Sequence, residues 1–338
     1  MAMKSKLIES MRRIIAIGIN APHLSWVTVI LMLFLLHFSC HSGKENHQLV
    51  HEEQKRWENI IKEGDFSSDS LEVLLESSMA EEENVAIYAI SQELGGRARV
   101  TSDFSKAIEY HQQGLEAAYA INDTISITRA LNNIATDFRR IGAFPEASEY
   151  HYQALYISES YSRRNEPVGR KNRVMAINGL GNIYLSFGNL TEAEAMFKEA
   201  LAEEKALESD LGQAINYANL GAIFEQRKMY DSAYYYYQRS MESNIAADSR
   251  LGIGLCYIYF GQLHELQEEH DKAESQYRLA QEVMSEISDT WHGLEATLAI
   301  ARIRLQKGDY NESLQYISQA REAAASIQSP EHLSRAHR

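Results

Sequence analysis

The chain reads as all-α, a right-handed solenoid of antiparallel helix pairs, on three observations. Small residues recur in register: Ala107, Ala147, Ala193, Ala233, Ala273 and Ser313 stand 40, 46, 40, 40 and 40 residues apart. Each follows a turn and opens an amphipathic stretch. Only four prolines interrupt 338 residues, while the strong helix formers Ala, Leu, Glu and Gln abound. Self-similarity at a fixed period marks stacked units, none of which buries its apolar face alone.

Taken in order, the first segment, residues 1–40, is an address. Lys4, Lys6, Arg12 and Arg13 precede an apolar run from Trp26 to Leu36. That run is shorter than the roughly 20 apolar residues of a membrane span, so an export signal is the favoured reading. The stretch Leu36-His37-Phe38-Ser39-Cys40 resembles a bacterial lipoprotein signal, which implies lipidation of Cys40. Ser39 fits that pattern; His37 and Phe38 depart from it. An uncleaved anchor and ordinary cleavage stay open beside it.

Residues 41–50 form a polar linker. His41 and His47 lie there with His51 just beyond, and solvated side chains are the expectation for them, not a metal site. Residues 51–84 make a degenerate helical unit with Gly64-Asp65-Phe66 as its turn. Residues 85–329 hold about six repeats. Residues 330–338, from Pro330 to Arg338, look like the opening of a further helix, as in a truncated array.

The third unit displays the repeat most fully: Leu180-Gly181, Tyr184, Gly188, Ala193, Phe197 and Ala200. The second has Ile134-Ala135, Phe138, Gly142, Ala147, His151 and Ala154. The fourth has Leu220-Gly221, Phe224, Ala233 and Tyr237, and the fifth Phe260-Gly261, Ala273, Tyr277 and Ala280. The first and sixth units are weaker. Small Gly181, Gly221 and Gly261 on one helix, and small Ala193, Ala233 and Ala273 on the next, let the pair cross closely, with aromatic rings filling the space beside them.

This pattern resembles the tetratricopeptide-repeat family, which implies a superhelix of helix-turn-helix units. The family period is about 34 residues, so a 40-residue unit is expected to place its surplus in longer helices. The resemblance extends to bacterial envelope lipoproteins with such repeats and to the repeat regions of signalling proteins.

In the family, one face of each first helix lines a groove for a partner. Carried onto this chain, that implies Asn132, Asn133, Arg139 and Arg140 in the second unit, Asn178 and Asn182 in the third, Asn219 and Glu225 in the fourth, and Gln262 in the fifth. Asparagine offers a donor and an acceptor, which suits an extended peptide backbone. The competing reading has Asn133 and Asn219 bind only neighbouring helix ends. Asn133 also matches the asparagine of the family's carboxylate clamp, but Gln92, Gly96, Asn178 and Asn182 around it carry no positive charge, so the clamp is not expected.

The 46-residue step contains Ser162-Arg163-Arg164-Asn165-Glu166-Pro167, then Arg170, Lys171 and Arg173. Arg163, Arg164, Arg170 and Lys171 form a basic island that would join Arg139 and Arg140 as an anion site, or else a solvated loop. Tyr234, Tyr235, Tyr236 and Tyr237 point all round a helix, so one or two must be exposed. Cys256 sits in an apolar run and reads as a buried small hydrophobe.

The formal charge is −14 and the first 40 residues are net basic, so the rest is more acidic still. Such a body repels phosphate backbones, and direct nucleic-acid binding is not expected. The chain shows no phosphate loop, no paired zinc histidines and no nucleophile elbow, so neither catalysis nor a cofactor is expected. The expectation is a non-catalytic scaffold at the bacterial cell envelope, membrane-anchored, facing the periplasm or outer surface, with a protein or peptide partner. The alternative is the sensor portion of a larger signalling protein or regulator. Partner identity and oligomeric state are not legible in the residues.

Overall fold

The computed structural model describes residues 49–160 and 166–326, and among these it contains fourteen helices and no strand. The opening helix α1 covers 49–63. It is followed by α2 (Ser68–Ala80), α3 (Asn84–Val100), α4 (Phe104–Ala120), α5 (Thr124–Arg140), α6 (Phe144–Ser160) and α7 (Pro167–Ser186). Then come α8 (Leu190–Ala206), α9 (Asp210–Gln226), α10 (Tyr230–Ala246), α11 (Arg250–Leu266), α12 (His270–Glu286), α13 (Thr290–Gln306) and α14 (Tyr310–Ser326). The N-terminal segment with Cys40, expected to be an export signal, and the stretch from Pro330 lie outside the described residues.

The chain divides into two compact units, Met1–Ile90 and Ser91–Arg338, with the boundary inside α3. In the first, α1 ends in a turn where Asp65 takes φ 44° and the Phe66 ring lies over Gly64. Leu71 and Leu75 on α2 are buried.

The second unit is a row of helix pairs built on one rule. Helices of 17 residues alternate with three-residue joints, so the true period is half the one visible in the sequence. The surplus over the family period therefore lies in the helices, shared equally between the two of each pair. The 46-residue step is the exception: α7 runs to 20 residues, and the connection before it is longer.

Every three-residue joint of this unit stops its helix in the same way. The second joint residue is left-handed: Ser102, Asn122, Gly142, Gly188, Glu208, Lys228, Asp248, Glu268, Ser288 and Gly308 all have φ between 51° and 85°. Around Lys228, its own N–H donates to the Glu225 carbonyl and the Met229 N–H to the Phe224 carbonyl. This paired closure satisfies the last orphan carbonyls of the helix. Only three of those ten positions are glycine, although a side chain in this conformation costs about 1 kcal/mol. The following helix is then capped where the sequence allows: Asp123 accepts from the Ser126 N–H, Ser209 from Gly212 and Ser249 from Gly252.

The six register residues Ala107, Ala147, Ala193, Ala233, Ala273 and Ser313 are all buried. Ser313 keeps its place by donating its hydroxyl to the Ala301 carbonyl across the pair at 2.9 Å. Beside them several first helices offer a glycine to a ring from the second. A Cβ on Gly181 would lie 2.7 Å from Phe197, one on Gly221 2.4 Å from Tyr237, and one on Gly261 2.7 Å from Tyr277. His111 fills the same role over Gly95.

The core is correspondingly a row of similar clusters. One joins Phe197 and Leu201 to Tyr217, Leu220 and Ile223. The next joins Tyr237 to Cys256, Phe260 and Leu263, and another joins Tyr277 and Met284 to Ile300 and Ile303. Cys256 is buried, as its apolar neighbours imply, and burial raises its thiol pKa. Of the four consecutive tyrosines, Tyr237 is buried and Tyr236 half-buried, while Tyr234 and Tyr235 are exposed.

Candidate partner-binding face

The first helices of the second unit are α3, α5, α7, α9, α11 and α13. Residues one and two turns apart on such a helix share a face, so Met175, Asn182 and Ser186 on α7 correspond to Ile215, Ala222 and Gln226 on α9. Met175 and Ile215 are exposed, and so are Leu211 and Leu251, which occupy equivalent positions on α9 and α11. This gives the face an apolar component beside its polar residues. Its signal in the sequence was the recurrence of aliphatic residues 40 residues apart at positions not needed by the core.

The asparagines divide into two groups. Asn132 is fully buried: its Nδ2 donates to the Asn172 carbonyl at 2.8 Å, and its Oδ1 accepts from His151 Nδ1 at 3.0 Å. It is a bolt between α5, α6 and α7, and it leaves the set of partner-binding candidates. Asn133 is largely committed as well, its side chain donating to Gln92 Oε1 at 2.6 Å while its backbone carbonyl accepts from Arg99 at 3.0 Å. Here the competing reading of contacts between neighbouring helices describes the geometry better.

Asn178, Asn182 and Asn219 are half-buried and differently placed. Asn178 Oδ1 and Asn219 Nδ2 have no hydrogen-bond partner among the described residues, and Asn182 only caps back to the Asn178 carbonyl within its own helix. A buried amide group without a partner costs about 1–3 kcal/mol, and both atoms are closed off from solvent by their neighbours, so a ligand backbone would reach them only once adjacent side chains move aside. Gln262 is exposed on α11.

The basic island does not form an anion site on its described side. Arg170 makes two hydrogen bonds to Glu203, at 2.9 and 2.7 Å, and Lys171 is bound to Glu204 and Ser209. Arg173 pairs with Glu199. The first turn of α7 is thus neutralised by the last turns of α8, and Arg170 and Lys171 are interhelix ties, not free cations. Arg163 and Arg164 lie outside the described residues.

A buried polar centre was missed at the sequence level. Asp137 is fully buried and receives Arg99 Nε at 2.5 Å and His111 Nδ1 at 2.6 Å. It links α3, α4 and α5. The signal for it was present in register: 12 residues separate each charged or apolar residue late on a first helix from the ring that closes the pair. The series runs Arg99 and His111, Arg139 and His151, Leu185 and Phe197, Glu225 and Tyr237, Glu265 and Tyr277. Where the first member is a carboxylate, the ring is a phenol that donates to it: Tyr237 to Glu225 at 2.9 Å and Tyr277 to Glu265 at 3.0 Å. Where the first member is apolar, so is the ring.

Electrostatics follow the same series. Burial, assisted by Arg139, pushes His151 down to about 3, so its imidazole is neutral. Burial lowers Arg139 too, with Arg140 and Arg99 adding repulsion. Glu225 is raised by burial against the opposing effect of the Tyr237 hydroxyl. Glu265 is held low despite burial because Arg302 pairs with it at 2.6 and 2.9 Å.

Two family descriptions of the tetratricopeptide repeat match the chain, over residues 172–244 and 128–161. No curated protein matches it in sequence. Among solved structures, the signal-transduction ATPase with a tetratricopeptide-repeat sensor from Pyrococcus horikoshii is 16% identical with TM-score 0.60; the match covers 85% of this chain and 42% of that one. A Rap protein complexed with Competence and Sporulation Factor is 14% identical with TM-score 0.58, covering 86% and 96%. Aspartyl phosphate phosphatase F from Bacillus subtilis is 13% identical with TM-score 0.54, covering 96% and 90%. At these identities the likeness establishes the fold.

Proposed function

The chain belongs to the tetratricopeptide-repeat family, and from that premise we propose that it is a non-catalytic scaffold gripping an extended segment of a partner protein on the first-helix faces of α7, α9 and α11. One observation carries this reading. Asn178 Oδ1 and Asn219 Nδ2 lack partners among the described residues, while exposed Met175 and Ile215 lie on the same faces. The exposed apolar side chains offer an extended segment a docking surface, and the two amides, screened from solvent in the free chain, gain a partner once that segment displaces the side chains over them.

The fold relatives support it at the same level. One is solved in complex with Competence and Sporulation Factor and one carries the repeats as a sensor. A sensor or regulator role uses the same face and differs only in what the bound segment reports. The relative named as a phosphatase shares the fold; the non-catalytic reading here rests on a sequence without nucleophile or phosphate-loop motifs.

The proposal extends to location. Basic residues, the Trp26–Leu36 apolar run and Cys40 support export to the bacterial cell envelope with a lipid on Cys40. Several acyl chains together hold a protein stably on a membrane. Labelling cells with a fatty-acid analogue checks this: label is expected on the wild type and not on Cys40→Ala, and an unlabelled wild type rejects lipidation.

Site-directed photo-crosslinking tests the face. A photoreactive residue at Ile215 is expected to capture a discrete partner, and capture is expected to fall when Asn178 and Asn219 are both changed to Ala. The same group at exposed Tyr235, on a second helix, serves as the comparison. Equal capture from both positions rejects the first-helix face as the binding surface.

A further inference from the structure

The candidate face changes sign along the row of first helices. At one register it reads Arg99, Arg139, Leu185, Glu225 and Glu265. The outermost charges are internally matched, Arg99 by Asp137 and Glu265 by Arg302. The inner two are not. Among the described residues no carboxylate pairs with Arg139 or with exposed Arg140, and no cation pairs with Glu225, whose one side-chain bond is from the Tyr237 hydroxyl. Both Arg139 and Glu225 are half-buried. Between them α7 offers only uncharged groups at these positions, Asn178, Asn182 and Ser186.

A partly buried charge without a counter-ion loses hydration and gains nothing in return. The repeats on either side show that this solenoid does supply counter-ions at the same register. Two unmatched charges of opposite sign, on the face already argued to take a peptide, therefore describe the missing partner charges.

We propose, resting on the peptide-binding reading, that the bound segment is an extended peptide with charges of opposite sign at its two ends. An Asp or Glu of the peptide pairs with Arg139 and Arg140, and a Lys or Arg pairs with Glu225. The helices α5 and α7, and α7 and α9, are neighbours. At about 10 Å per step between helix axes the two charges are about 20 Å apart. An extended chain rising about 3.3 Å per residue covers that in about six residues.

Selection of a random dodecapeptide phage library on the full-length protein tests this. Enriched peptides are expected to carry an acidic and a basic residue separated by about four to eight positions, well above their frequency in the starting library. The double variant Arg139→Glu, Arg140→Glu is expected to lose the acidic preference and keep the basic one, and Glu225→Gln is expected to do the reverse. Thermal melts of both variants confirm that they fold. Enriched peptides without a charge pattern, or a pattern unchanged in the variants, overturn the polarity while leaving peptide binding standing. No enrichment from the wild type overturns both.

Discussion

His151 is the side chain whose ionisation the fold most directly controls, and its replacement by Phe gives a sharp test. In the native state the imidazole is buried, donates Nδ1–H to Asn132 and packs on Gly179. Burial brings its pKa down to about 3, against about 6.5 in the unfolded chain. Between those values the unfolded state binds a proton that the native state does not. Stability is therefore fully present above about pH 6.5 and is lost progressively as pH falls towards about 3, at about 1.4 kcal/mol per pH unit. At about pH 5 the loss from this one residue is about 2 kcal/mol.

Phenylalanine occupies the equivalent position in the next unit as Phe197, so the shape is tolerated. It cannot donate to Asn132, however, and the orphaned amide oxygen costs about 1–3 kcal/mol at neutral pH. The variant should thus be less stable than the wild type near pH 7.5, and the gap should close by about 2 kcal/mol near pH 5. Urea unfolding followed by circular dichroism measures the gap. Hydrogen exchange of the α6 amides localises it, which matters in an array that opens unit by unit. A gap that changes by less than about 0.5 kcal/mol between the two pH values refutes the argument, because His151 would then titrate alike in both states.

Three further outcomes follow from the packing. Gly221→Ala should destabilise by about 1–3 kcal/mol, because its Cβ would meet the Tyr237 ring at 2.4 Å, whereas Gly96→Ala, with nothing within 4 Å, should stabilise by about 0.5–1 kcal/mol; paired thermal melts check the contrast. At the joints, Glu208→Gly or Lys228→Gly should raise stability by about 0.5–1 kcal/mol by relieving a left-handed side chain, and Gly188→Ala should lower it by about 1 kcal/mol or more, read as shifts in urea midpoint. Glu225→Gln should raise the melting temperature at neutral pH. Burial lifts the Glu225 pKa above its unfolded value, so its ionised form costs stability as pH rises, and the amide oxygen still accepts from Tyr237; a lower melting temperature would count against an unmatched charge there.

The repeat was legible because its signal is steric. A residue that must be small, such as Ala193 or Gly221, is small whatever the unit does, so the register shows through weak similarity. Half-period joints were not legible, because the left-handed position accepts Ser, Asn, Glu, Lys or Asp at modest cost and leaves no shared residue type. The candidate face was read in part. Asn178, Asn182 and Asn219 keep free bonding capacity, but Asn132 does not, because its burial depends on how closely α7 approaches, and register alone contains no approach distance. The ties of Arg170 and Lys171 were not legible for a related reason. Arg170 and Lys171 find acids 33 residues later on α8, a spacing that links a first turn to a last turn and crosses no simple periodicity. Glu199, which looks like ordinary exposed helix charge, is one of those ties.

The uniform joints have a consequence for how such a chain can change length over generations. Each is the same backbone hinge, so a stretch excised at one joint and resealed at another meets matching geometry at the cut. Removing two helices keeps every remaining helix on its own side of the array. Removing one would swap the roles of all that follow, turning rings inward where glycines belong. Length can therefore drift only in even steps, and α7, with its lengthened lead-in, is the place where a splice would be out of phase.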